Sequence, residues 1–464
     1  MLFSSIPFLF YFLPFALVLY AVTPKRLKNA VLVLESVIFY AWGEPKYILL
    51  MVTTVFAGYG FGLLMEYRKK KGKGSLAVFV LSVICVLASL GYFKYTGFIL
   101  ESVNKVAKTA ITIPKIALPI GISFYSFQLL SYLCDVYRGR EEAQHNFIDL
   151  AAYIFFFPQL IAGPIVRYSD IVKQLKERRH SISQIEYGIR RFILGLSKKV
   201  LVANMLAQFC AAFYQSQEKT VLFIWGYALA YSLQVYFDFS GYSDMAIGLG
   251  SIFGFTFPEN FLYPFVSESI TDFWRRWHVT LGSWFRDYVY IPLGGNRVSI
   301  PMYIRNILIV WALTGLWHGA SWNFVIWGLY YAVWLLIEKF WLNRIWGRFK
   351  DKAVLRGLRH IGVIIITLVG FVIFDFADIK EGLSVISGMF FGGKIPLYSA
   401  ETIYYVKSYA LIIIASMIGA TPIFKHIPGK VLKLFEPLGL LILLILCTAF
   451  LVDGSFNPFL YFRF

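Results

Sequence analysis

The sequence predicts an all-α, polytopic integral membrane protein, with roughly eleven transmembrane helices accompanied by re-entrant or interfacial helices. Three observations predict it. Of 464 residues, 58% are hydrophobic and only 15% charged, whereas a soluble domain carries about 25% charged residues. Apolar segments recur from one end of the chain to the other, and no polar stretch is long enough for a separate soluble domain, so residues 1–464 are expected to form a single membrane domain. The net charge of +18 is parcelled into short loops, notably Lys25-Arg26-Leu27-Lys28, Arg68-Lys69-Lys70-Lys71 and Lys173 through Arg179. Basic loops between apolar spans are the positive-inside signal, reinforced by anionic lipid at the cytoplasmic face. The apolar content excludes a disordered chain. No RNA-binding signature accompanies the basic residues, so the expected partner is membrane lipid and not nucleic acid.

The apolar spans fall near 5–22, 29–42, 47–65, 75–93, 116–134, 147–165, 189–214, 219–237, 303–320, 322–341, 358–376, 404–422 and 434–452. A bilayer core takes about 20 apolar residues per helix, so 29–42 is short, and 189–214 is interrupted by Lys198 and Lys199. The first run has no basic residue before it and Lys25 and Arg26 after it. That pattern predicts a retained first span with its N-terminus outside, not a cleaved signal peptide. Counting on, Lys25 and Lys69 through Lys71 fall inside, yet three further crossings would put the basic loop 167–179 outside. One of those three segments is therefore expected not to cross. The segment 147–165 ends in Pro158 and Gly163-Pro164, whose freed backbone groups lipid cannot satisfy, so a re-entrant element is expected there. Residues 255–302 are too charged to span but rich in Trp, Phe and Tyr, which predicts interfacial or re-entrant helices. Cys85, Cys134, Cys210 and Cys447 lie in apolar runs without CxxC spacing and read as small core residues; no metal site is expected.

Two of the six histidines stand apart. His145, His180, His360 and His426 lie in or beside charged loops and read as solvated interface residues. His318 lies deep in the run Trp311 to Asn323, and an ionisable group there is a functional-site candidate because burying it in the membrane is costly. Helical spacing would put Thr314, Ser321 and Trp322 on its face, and Gly315 and Gly319 would let a second helix or a substrate approach the backbone. Burial favours the neutral imidazole that a general base needs, although a buried, hydrogen-bonded structural histidine would have the same surroundings. His278 follows Trp274 and Trp277 and precedes Leu281 at i, i+3, i+4, i+7 spacing, which predicts one aromatic-apolar stripe on an amphipathic helix, with Asp272 and Arg276 paired on the other face. It could equally be a packing residue of an interfacial anchor. Trp284-Phe285-Arg286-Asp287-Tyr288 would continue that helix, and Ile291 through Arg297 makes a turn-rich loop. No GxSxG, HExxH, Walker or dinucleotide motif is present.

Taken together, these residues resemble the membrane-bound O-acyltransferase family, and within it the branch that acetylates polysaccharides such as alginate. The likeness runs through Phe39-Tyr40-Ala41-Trp42-Gly43-Glu44-Pro45, Leu118 to Gln128, Phe157 to Ile165, Tyr236 to Asp244 and Pro258-Glu259-Asn260-Phe261. It also takes in the ending Phe456 to Phe464, and is most specific over Asp272 to Arg297 and Leu313 to Asn323. The teichoic-acid D-alanyl-transfer membrane protein is a close relative on the same grounds. The resemblance implies a helical bundle around a central tunnel, with His318 catalytic and His278 the second functional residue. One departure is Phe376, in Ile373-Phe374-Asp375-Phe376-Ala377, where relatives usually carry Arg.

The expected activity is O-acetyl transfer from cytoplasmic acetyl-CoA, as donor substrate and not a tightly bound cofactor, across a bacterial cytoplasmic membrane. The final acceptor would be an extracytoplasmic polysaccharide, reached by way of a secreted acetyltransferase- or esterase-like partner protein. His318 would be general base or transient acyl acceptor, with His278 positioning or polarising the acyl group or relaying a proton. Trp277, Trp317, Asn323, Thr314, Ser321, Arg286, Asp287 and Tyr288 would line or support the tunnel, and Lys198 and Lys199 could hold CoA phosphates. The rival readings are a transporter or flippase of an envelope precursor without group transfer, and a scaffold for an exopolysaccharide complex.

Overall fold

The computed structural model describes residues 1–347, 353–390, 393, 395–423 and 429–454. Among them all regular secondary structure is helical, as the composition requires. Among the described residues eight helices are long and apolar enough to cross a membrane, and Phe8–Val22 is a shorter apolar helix. The predicted spans 29–42, 116–134 and 219–237 are helical but fall outside those eight. His426 and the ending 456–464 lie outside the described residues. The chain divides into two compact units, Met1–Phe192 with Tyr242–Pro258 and Ile193–Gly241 with Glu259–Phe464.

The first unit holds α1 (Leu13–Val22), α2 (Lys28–Gly43), α3 (Ile48–Lys70) and α4 (Leu76–Leu90), which runs through a π-helical turn into α5 (Thr96–Ala107). After these come α6 (Ile122–Arg138), α7 (Phe147–Phe155), α8 (Phe157–Leu160), α9 (Tyr168–Lys176) and the first part of α10 (Ile182–Ser197). Helix α6 is buried along nearly its whole length, polar Gln128 and Asp135 included. It starts later than residue 116 because Pro114 and Pro119 precede it and Gly121 stands at φ 76°, a left-handed conformation that favours glycine. A Cβ at Gly121 would lie 2.5 Å from the Leu160 carbonyl oxygen.

Segment 147–165 forms α7 and α8. Nine residues of α-helix reach about 14 Å, too short to cross a bilayer, and Leu150 through Val166 are buried without a break. Protein, not lipid, satisfies the polar groups around Pro158: Phe157 N donates to Ser36 Oγ at 3.0 Å, Gln159 Nε2 donates to the Tyr153 carbonyl, and Tyr153 Oη donates to the Val166 carbonyl at 2.8 Å. The basic loops also meet as the charge count required. Tyr20, at the end of α1, places its hydroxyl 3.1 Å from His180 Nε2 while Lys28 Nζ stands 3.9 Å above its ring. The loops 24–28 and 173–180 thus share one end of this unit.

The second unit holds α11 (Asn204–Gln215), residues 221–241 of α12 (Val221–Ile252), α13 (Ile270–Arg276), α14 (Val279–Phe285), α15 (Ile300–His318) and α16 (Trp322–Ile337). It continues with α17 (Asn343–Gly347), α18 (Ala353–Asp375), α19 (Ile379–Phe390), α20 (Ala400–Gly419) and α21 (Gly429–Val452). Helices α13 and α14 have seven residues each, too short to span, in keeping with the polar character of 255–302. Helices α15 and α16 form a tight hairpin. A Cβ at Gly315 would lie 2.2 Å from the Phe324 carbonyl oxygen, one at Gly319 2.1 Å from the Phe324 ring, and one at Gly328 2.1 Å from the Trp311 carbonyl oxygen. The glycine spacing read from the sequence therefore serves helix–helix approach.

Candidate functional site

Both singled-out histidines end a helix or stand between two. Helix α15 stops at His318 because Gly319 is extended (φ −167°, ψ 155°) and Ser321 already caps α16. The expectation that Ser321 and Trp322 share a helical face with His318 is corrected accordingly: the helix that would align them has ended, and Trp322 is 52% exposed. The single helix expected through His278 is likewise broken in two. Trp277 is extended and His278 adopts a left-handed conformation, φ 44° and ψ 51°, between α13 and α14. The Asp272–Arg276 pair forms as expected, at 3.0 Å. Despite the break, Trp274, Trp277, His278 and Leu281 still face one space.

That space is a cavity of about 180 Å³ bounded by α13, α14, the turn that follows them and α15. Its wall is mostly aromatic and aliphatic; the polar members are His278, His318, Thr314, Tyr290 and Arg286. Forty residues apart in sequence, the two histidine rings come within 6.4 Å of each other, centroid to centroid. Both are buried. Trp317 touches both rings, and Trp327 and Phe374 pack edge-on against His318. Burial, with His318 nearby as a second cause, holds the His278 imidazole well below its ordinary pKa of 6.5 and so neutral.

Sequence reasoning missed Asn260. Its Oδ1 lies 3.0 Å from His278 Nδ1 and accepts from Thr280 Oγ1 at 2.9 Å, while its backbone carbonyl accepts from Val279 N at 3.0 Å. Nothing in periodicity links a residue eighteen positions upstream to His278; only the Pro258-Glu259-Asn260-Phe261 likeness pointed there. Phe239, 4.7 Å from the His278 ring, was missed for the same reason.

The remaining expected residues divide. Trp277, Thr314 and Arg286 line the cavity. Asp287 pairs with Arg286 at 2.8 Å, and Tyr288 packs at a tilt against Trp284, so these two support the wall without lining it. Asn323 is buried, its Nδ2 donating to the Phe374 carbonyl at 2.8 Å, which ties α16 to α18. Lys199 is corrected as a phosphate ligand: it is 2% exposed and its Nζ lies 2.6 Å from Asp238 Oδ1. A buried lysine is held this way because an unpaired charge there would cost several kcal/mol. Lys198 is half-buried beside it. At the departure from the family pattern, Phe376 is buried against the rings of Tyr214 and Tyr227, whose hydroxyls both donate to Asp375.

These features define a class: a multi-pass helical membrane enzyme with two buried imidazoles on a small apolar cavity. A model of the membrane-bound O-acyltransferase family matches residues 36–373, and the chain belongs to that family. It is 42% identical over 394 residues to the probable alginate O-acetylase AlgI of Pseudomonas aeruginosa, covering 84% of this chain and 75% of that protein. The Pseudomonas putida protein of the same name is 37% identical over 490 residues, with both chains fully covered. The peptidoglycan O-acetyltransferase of Helicobacter pylori is 37% identical over 373 residues, covering 73% of this chain and 70% of that protein. The chain is thus an O-acyltransferase of the membrane, as its sequence led us to expect.

Proposed function

We propose that this enzyme takes an acetyl group from acetyl-CoA at the cytoplasmic face of a bacterial cell membrane and passes it outward for O-acetylation of an extracytoplasmic polysaccharide. The observation that carries this reading is the convergence of His278 and His318 on one apolar cavity. A volume of about 180 Å³ suits a short acyl group. The names of the relatives, an alginate acetylase and a peptidoglycan acetyltransferase, support acetyl as the group and polysaccharide as the acceptor.

In the transfer, an acceptor hydroxyl attacks the thioester carbonyl while His318 takes its proton. The C–S bond breaks as the C–O bond forms, and the thiolate recovers the proton from the imidazolium. His278 assists from the second side of the cavity. Arg286, ion-paired with Asp287, holds a polar point on the mostly apolar wall. A secreted acetyltransferase- or esterase-like protein completes delivery to the polymer, and Lys198 is the remaining lysine for CoA phosphates.

Purified protein incubated with acetyl-labelled CoA tests the reading. His318→Ala is expected to express normally and to lose CoA release and label transfer by about a thousandfold, the scale of removing a general base together with its positioning. Full activity in that variant would sink the assignment. Absence of CoA release by the wild type, with its extracellular partner supplied, would favour the transport reading.

A further inference from the structure

We infer that Asn260 is a positioning residue that locks His278 in its Nδ1–H tautomer, so that His278 presents a proton-accepting Nε2 to the cavity and does not polarise the acyl carbonyl. The role concerns the reaction proposed above and rests on that reading; the tautomer itself does not.

The geometry admits one arrangement. Asn260 places the same side-chain atom against three groups: His278 Nδ1 at 3.0 Å, Thr280 Oγ1 at 2.9 Å and the Thr280 backbone N at 3.4 Å. A backbone N–H can only donate, so the atom facing it is the amide oxygen, not the amide nitrogen. An oxygen at 3.0 Å from Nδ1 requires the proton to sit on Nδ1. The neutral ring then carries its lone pair on Nε2. That Nε2 is buried with no hydrogen-bond partner among the described residues, although His278 lines the cavity. A buried acceptor without a protein donor is unfavourable, an arrangement that fits a site whose donor arrives with the substrate.

The backbone is built to hold this ring. Val279 N donates to the Asn260 carbonyl at 3.0 Å and Leu262 N to the Arg276 carbonyl at 2.9 Å, which laces residues 260–262 to 276–279 on either side of the left-handed His278. Asn260 is itself wholly buried. The side chains packed on His278 from other elements are Phe239, Phe261 and Trp317, which do not titrate, and His318. The other ionisable groups on the cavity wall are Arg286 and Tyr290. Among the described residues no carboxylate lines the wall, so the amide of Asn260 orients the ring without raising its basicity as a carboxylate would.

Two measurements test the lock. In protein carrying ¹⁵N-histidine, solid-state NMR distinguishes protonated from bare ring nitrogens, with His278 assigned by its loss in His278→Gln. The wild type is expected to show a protonated Nδ1 and a bare Nε2 at pH 7.5, and Asn260→Leu a mixture. A protonated Nε2 in the wild type overturns the inference. In acetyl transfer, Asn260→Leu is expected to lower kcat at least about tenfold with KM changed less than about threefold. Asn260→Asp keeps an acceptor but adds a charge, and is expected to retain most activity while moving the acid limb of the kcat profile up by about one pH unit or more. An Asn260→Asp profile superimposed on the wild type also overturns it. A chain that transfers no acetyl yet shows the Nδ1–H ring would leave the lock standing and remove the proposed reaction.

Discussion

At the scale of single residues, His278 combines two uncommon conditions: a left-handed backbone on a residue other than glycine, and an ionisable ring kept neutral by burial. The second has a thermodynamic sign. Its folded-state pKa is lowered, so below the ordinary value of 6.5 the unfolded chain binds a proton that the folded chain does not. Stability therefore falls as pH drops through 6.5, by up to about 1.4 kcal/mol per pH unit, until the folded value is reached. Thermal unfolding in detergent is expected to show a lower Tm at pH 5.5 than at pH 7.5, with a smaller difference in His278→Gln. An equal difference in both proteins would assign the effect elsewhere. The histidines themselves were legible because an ionisable group in an apolar run is conspicuous. Asn260 was not, since an uncharged amide in a polar loop carries no signature until its partner is seen.

At the scale of elements, the glycines of the α15–α16 hairpin decide where His318 sits. Gly315 and Gly328 face backbone carbonyls, which cannot move aside as a flexible side chain can. Gly328→Ala is expected to push the two helices apart, to destabilise the fold by about 1–3 kcal/mol, and to reduce acetyl transfer although it touches neither histidine. Gly282, which has open space around its Cβ position, is a contrasting site in the same unit: Gly282→Ala leaves the fold intact. Equal melting temperatures for the two variants would contradict this account. The small-residue spacing was readable from the sequence. The breaks at Trp277–His278 and at Gly319 were not, because i, i+3, i+4 spacing looks the same whether or not the backbone stays helical between the matched positions. Trp274, Trp277, His278 and Leu281 reach one cavity from two helices, so the pattern identified the right set of residues for a partly wrong reason.

At the scale of the whole molecule, hydropathy and charge identified a polytopic helical protein, and the count of basic loops drew attention to 147–165, which forms the short, buried α7–α8 element. What they could not reveal was the number of crossings. Spans such as 116–134 are apolar because they are buried in protein, and hydropathy alone does not distinguish that from burial in lipid. The meeting of loops 24–28 and 173–180 at Tyr20 carries a topological prediction. In a background without native cysteines, single cysteines at Lys25 and at Arg179 should be labelled by an impermeant thiol reagent from the same side of the membrane. Labelling from opposite sides would mean that an odd number of the segments between them crosses, and would contradict the shared end of loops 24–28 and 173–180.

The buried element α7–α8 bears on how the protein is made as well as on how it works. A chain delivered to the bilayer segment by segment can release most of these helices into lipid as they emerge. The stretch from Leu150 to Val166 is different, because Phe157 N needs Ser36 and the Tyr153 hydroxyl needs Val166 before lipid is tolerable around them. Its predecessors α2 and α6 must already be in place to receive it. Substitutions at Ser36 should therefore register first as failed biogenesis and degradation of the nascent chain, and only secondarily as slow catalysis in the molecules that survive.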